Sequence, residues 1–149
     1  MFSKQLNIKL DRYHLLKHPF YDVFWNEGKL TREIIKDYAE QYYQHVKAFP
    51  RYISATHSIC DDIEKRKILL ENLQDEENTN GDHPKLWKNF AAAMGADKKK
   101  IDDVKPDWFT KDMIDNFFTQ ARSSYAEGLA SLYTYERQIP EIAETKIQG

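Results

Sequence analysis

Three residues stand where two carboxylates and an imidazole could hold a metal ion: Glu76, His83 and Glu136. Glu76 continues an apolar stripe with Leu69 and Leu73 at 4-3 spacing, so a helix carrying it would turn the carboxylate inward. Glu136 falls on a second stripe with Tyr125, Leu129, Leu132, Ile139 and Ala143. An ionised carboxylate in such a position must be compensated by an Arg or Lys partner, by a partly exposed rim position or by a metal, because burying it unpaired is costly. His83 lies seven residues after Glu76. On an unbroken helix that spacing would keep the face and place it ~10 Å further along. Asn80-Gly81-Asp82 interrupts the helix, so a turn can fold the imidazole back, although His before Pro84 is also an ordinary helix start. Two Glu and one His form a hard O/N donor set suited to iron or manganese, of the kind that bundle di-metal proteins place on facing helices.

Other candidates read more plainly. His14 and His18 have no acid at matching spacing and read as surface or packing residues, and His57 with Asp61 reads as solvated capping. His45 faces inward among tyrosines; with Tyr42 it either lines a polar cavity or is a hydrogen-bonded core histidine. Tyr21, Tyr43, Tyr125 and Tyr133 read as core rings with a polar tip. Beside a redox metal a tyrosine could be oxidised, and Tyr135, next to Glu136, is the one best placed by position. Lys146, ten residues beyond Glu136, reads by itself as a solvated helix-end lysine.

These residues need a scaffold, and the composition describes one. A chain of 149 residues is the size of one domain, and 41% hydrophobic with 31% charged residues, only 5 Gly and 5 Pro, indicates an all-α globular fold. A net charge of −2 leaves no basic footprint for nucleic acid, and the run Lys98 to Lys100 reads as a solvated turn. The single cysteine, Cys60, allows neither an internal disulfide nor a Cys-based zinc site. No signal core and no run of ~18 apolar residues is visible, so a cytoplasmic protein without membrane association is expected.

Helices are predicted over 3–18, 31–60 with Thr31 as N-cap, 62–78, 83–94 closed by Gly95, 110–122, and from 123 or 124 almost to the end. The second carries Tyr38, Tyr42, His45, Phe49 and Tyr52 along one face, and Pro50 should kink it. Leu86, Trp87 and Phe90 are expected inside the fourth, and Met113, Ile114, Phe117 and Phe118 inside the fifth. Pro140, four residues after Glu136, should bend the last helix beside the acid.

The motifs His18-Pro19-Phe20-Tyr21, Gln41-Tyr42-Tyr43-Gln44-His45-Val46-Lys47-Ala48-Phe49-Pro50-Arg51-Tyr52, Asn72-Leu73-Gln74-Asp75-Glu76-Glu77-Asn78 with His83, and Leu132-Tyr133-Thr134-Tyr135-Glu136-Arg137-Gln138-Ile139-Pro140 resemble the TenA/THI-4 and PqqC-like superfamily. Within it they are most similar to the subgroup typified by the chlamydial protein associating with death domains. The resemblance runs over nearly the whole chain and implies a haem-oxygenase-like helical bundle in a single domain. It implies a di-metal (di-iron or manganese) oxygenase that makes p-aminobenzoate for folate from a tyrosine of its own. By motif, Glu76, His83 and Glu136 match metal ligands, Tyr21 the sacrificed tyrosine, Tyr135 an assisting tyrosine and Lys146 the proposed amino donor.

The family's remaining ligands, a His-x3-Asp-x2-His on a later helix, would fall beyond Gly149. The sequence therefore leads one to expect a shortened bundle with weak metal occupancy, inactive alone or completed by another chain. A homodimer or exchanged-helix oligomer is the expected assembly. The rival expectation is a non-catalytic helical interaction protein; a TenA-type thiamin hydrolase would need Cys60 as a nucleophile in a pocket.

Overall fold

The computed structural model describes residues 2–78 and 81–148, and among them every regular element is helical. The α-helices are α1 Phe2–Leu10, α2 Arg32–Ser58, α3 Ile63–Glu76, α4 His83–Ala93, α5 Trp108–Ser123, α6 Tyr125–Glu136 and α7 Ile139–Gln148. Short 3-10 turns lie at Asp11–Tyr13, Leu15–Lys17 and Ile101–Asp103, and a π-helical turn at Phe20–Trp25. The all-α expectation holds. No helix among the described residues is long and apolar enough to cross a membrane.

The chain divides into two compact units, Arg32–Leu132 and a second one made of Met1–Thr31 with Tyr133–Gly149. The first is organised on α2, against which α3, α4 and α5 pack. The 4-3 aromatic stripe explains this: His45, Phe49 and Tyr52 are buried, and Phe117 of α5 stacks on Tyr52 at 5.0 Å. On the α4 side Ala39, Tyr43, Ala91, Ala96 and Ile101 form a core against which Trp87 and Phe90 pack, with the Trp87 indole N–H donating to the Ala39 carbonyl at 2.8 Å. The Tyr43 hydroxyl donates to Asp102 at 2.6 Å, and burial together with that carboxylate pushes its pKa up to about 12. α2 runs through Pro50 without ending.

Helix starts follow local chemistry. Asp62, Asp82 and Asp107 each accept hydrogen bonds from the first-turn N–H groups of α3, α4 and α5, which otherwise lack partners. Gly95, at φ +105, closes α4 where a Cβ would be strained. Replacing Asp82 by Ala should cost about 1 kcal/mol, the usual loss for such a cap. A thermal melt within error of wild type would refute that.

Four expectations are corrected. The first helix ends at Leu10 rather than His18, because His14 is extended (ψ 130°) and its ring accepts the Leu16 N–H. The last helix is two: Pro140 has no N–H for the Glu136 carbonyl, and the chain turns at Arg137 and Gln138. That turn resets the stripe, so Ile142 is buried in place of Ala143, and Leu129 is 40% exposed. Leu86, expected inside, is 55% exposed.

Candidate functional site

Glu76 is the last residue of α3 and His83 the first of α4. The intervening turn, in which the Gly81 N–H donates to the Asn78 carbonyl, brings the His83 Nδ1 to 2.8 Å from Glu76 Oε2. Residues 79 and 80 lie outside the described part of this turn. The side chain of Glu76 is only 12% exposed and that of His83 55%. A carboxylate at a helix C-terminus faces the negative end of the peptide dipoles, so it is poorly placed without a donor. The imidazole supplies one. An ionised Glu76 can only accept, so Nδ1 carries the proton; in the neutral ring this leaves the Nε2 lone pair, the arrangement in which metal-binding histidines are held by a carboxylate behind them.

His45 sits on the same unit, fully buried, with the rings of Tyr42, Phe49, Tyr52 and Phe117 centred 5.1 to 6.0 Å away. Burial lowers its pKa to about 4, so the ring is neutral at physiological pH. Tyr42 stacks on Tyr38 and contacts Trp87 at 4.7 Å. Near His45 on α2, the hydroxyls of Tyr52 and Thr56 are buried with no hydrogen-bond partner among the described residues.

The other unit carries Tyr21, Tyr135, Glu136 and Lys146. Tyr21 lies in the π-helical turn, 6% exposed, its ring edge-on to Phe20 at 5.1 Å and 6.2 Å from Trp25. Lys146 of α7 places its Nζ 5.9 Å from the centre of the Tyr21 ring, and burial pulls the amine down to about 8. The solvated reading of Lys146 is thereby replaced by a desolvated amine over an aromatic face. Tyr135 and Glu136 are half-buried at the end of α6.

What holds α7 against the N-terminal segment is a set of polar ties that sequence reasoning missed. Buried Gln138 accepts the Leu15 N–H at 2.9 Å and donates to the Thr134 carbonyl, Arg137 pairs with Asp11 at 2.9 Å, and His14 meets Glu141 at 3.3 Å. All but one join residues more than 120 positions apart, a separation that no local pattern reports. Among the described residues, no group of three or more His, Cys, Asp or Glu side chains is gathered closely enough to hold a metal by itself.

The chain is 46% identical over 149 residues to a 4-aminobenzoate synthase of Chlamydia trachomatis serovar D, covering 99% of this chain and 64% of that protein. It is 41% identical over 160 residues to a 4-aminobenzoate synthase of Nitrosomonas europaea, with 99% and 64% covered. It is 27% identical over 152 residues to a pyrroloquinoline-quinone synthase of Acinetobacter baumannii (strain AYE), with 98% and 59% covered. The chain thus spans less than two-thirds of the length of these relatives. Residues 3–149 match the TENA/THI-4/PQQC family, and the chain belongs to it.

Proposed function

We propose that this chain carries the aromatic donor, the nitrogen donor and part of the metal-binding residues of a 4-aminobenzoate-forming oxygenase. The observation that carries the reading is the Lys146 amine over the buried Tyr21 ring. 4-Aminobenzoate differs from a tyrosine side chain in two ways: nitrogen replaces the phenolic oxygen, and the benzylic carbon has become a carboxylate after its bond to Cα is broken. The first change needs an amine at the ring. The second is an oxidation and needs dioxygen.

Lys146 fits the first need. Only the neutral amine has a lone pair to donate, and with its pKa near 8 a substantial fraction is neutral under conditions where a solvated lysine is almost wholly charged. Tyr21 is held by Phe20 and Trp25, which restrict its ring and keep water from it. Glu76 and His83 offer the hard oxygen and nitrogen donors that iron or manganese takes, and the Nδ1–H to Glu76 contact sets the tautomer required. Glu136 is proposed as a further ligand residue and Tyr135 as an assisting tyrosine. Bound there, the metal would supply activation of dioxygen.

The test is isotopic. The protein is produced with ring-labelled tyrosine, reconstituted with iron(II) or manganese(II), given dioxygen and a reductant, and the small-molecule fraction analysed by mass spectrometry. Labelled 4-aminobenzoate is expected, reduced to background in Tyr21→Phe and Lys146→Met, with the wild-type yield rising as pH passes through about 8. Unlabelled product, or full yield from Tyr21→Phe, would sink the proposal. Absence of product with a metal-free, stably folded protein would instead favour a non-catalytic interaction protein.

A further inference from the structure

A second, unrelated feature lies on α5. The Phe118 ring is approached by two guanidinium groups, Arg51 of α2 with its Cζ 4.8 Å from the ring centre and Arg122 of α5 with its Cζ at 4.6 Å. The ring is packed edge-on against the buried Tyr52 at 4.7 Å, which restrains it. Beside it opens a depression of ≈ 460 Å³ lined by Asp115, Phe118, Thr119, Arg122 and Ser123. These α5 residues recur at one-turn spacing and form a single strip of the helix.

The two arginines differ from others in the chain. Arg32 is used by the Ala93 and Met94 carbonyls, Arg66 by the His57 and Cys60 carbonyls, and Arg137 by Asp11. Arg51 and Arg122 are exposed and stacked, and among the described residues neither is in an ion pair. The nearby acids are already engaged: Asp115 by Lys111, and Glu127 by Ser123 and Ser124. The Thr119 hydroxyl donates to the Asp115 carbonyl on its own helix and can turn to an incoming oxygen instead.

We propose that Arg51 and Arg122, stacked on Phe118, bind the phosphoryl group of a small soluble molecule whose remainder occupies the adjoining depression. A guanidinium lying over an aromatic ring keeps N–H groups available at its edge, and the guanidinium fork matches phosphate oxygens bidentately. Holding the arginines on an aromatic shelf also reduces the side-chain freedom lost on binding. The Thr119 hydroxyl adds a donor of the kind phosphate sites use.

Titration calorimetry with inorganic pyrophosphate as the probe, at low and at high sodium chloride, tests the site. Saturable binding is expected, weakened at least about tenfold in Arg51→Gln and in Arg122→Gln. Arg122→Lys, which keeps the charge and the fold but loses the fork, should also weaken it. A dicarboxylate such as succinate should bind more weakly than pyrophosphate. No saturable binding by the wild type, binding unchanged in both Gln variants, equal binding by Arg122→Lys, or tighter binding of succinate would each overturn the proposal. Circular dichroism of each variant confirms that loss of binding is not loss of fold.

Discussion

Gly128→Val is expected to destabilise the protein by roughly 3 kcal/mol, in the upper range for inserting atoms into a packed core. α6 crosses α2 at this glycine. A Cβ built there would lie 2.5 Å from Thr56 Oγ1, 2.8 Å from its Cγ2 and 3.2 Å from its Cβ. Thr56 is fully buried and short, so it has no free rotamer into which to retreat, and the two helices must separate. Gly128→Ala meets the same atoms, but the better helix propensity of alanine returns about 1 kcal/mol, so its net loss should be roughly 1–2 kcal/mol. Thr56→Ala removes two of the three clashing atoms, one of them a hydroxyl oxygen with no hydrogen-bond partner among the described residues. Combined with Gly128→Ala it should recover part of the loss, a coupling that a double-mutant cycle by urea unfolding would measure. Wild-type stability for Gly128→Val, or strict additivity in the cycle, would contradict this packing.

The second large effect is on acid stability and comes from His45. Burial sets its folded-state pKa at about 4, against 6.5 for a free imidazole. Between those values the unfolded chain binds a proton that the folded protein does not, so stability is full above about pH 6.5 and falls as pH drops towards 4. At about 1.4 kcal/mol per unit, the loss accumulates to about 3 kcal/mol. His45→Phe keeps a ring among Phe49, Tyr52 and Phe117 and has nothing to titrate. Its urea midpoint should therefore fall less than that of the wild type from pH 7 to pH 4.5. Parallel slopes for the two proteins, or a His45 ring resonance titrating near pH 6.5, would defeat the expectation. Asp102, whose carboxyl is held down chiefly by the Lys88 and Tyr43 hydrogen bonds, adds a loss only at lower pH, common to both proteins.

These two effects and the proposed chemistry divide along a physical line. Much of what local periodicity governs was readable. The 4-3 spacing of Tyr38, Tyr42, His45, Phe49 and Tyr52 determined which face of α2 is buried, because side chains three and four apart share a helix face whatever surrounds them. Gly95 located the end of α4 because caps act within one turn, whereas the capping roles of Asp62, Asp82 and Asp107 emerged only in the structure, where Asp107 starts α5 at Trp108 instead of near Thr110. The resemblance carried by the motifs around Tyr21, Tyr42, Glu76 and Glu136 was also legible in the sequence, and the match over residues 3–149 bears out the family it named.

What only the tertiary structure decided concerns distances across turns and the removal of water. His83 lies seven positions after Glu76, and no spacing rule says that the two side chains close to 2.8 Å. Pro140 announced a bend, but whether α6 and α7 would be one bent helix or two depended on Gln138 and Arg137 finding Leu15 and Asp11 more than 120 positions away. Leu86 has the right letter for a core residue and is exposed, since Trp87 and Phe90 fill the α4 contact with the core. Lys146 shows the division most clearly. By sequence it is a charged residue near a helix end; only the folded chain sets it against Tyr21 in a desolvated position, and desolvation, which is a property of the surroundings and not of the residue, is what makes its amine available.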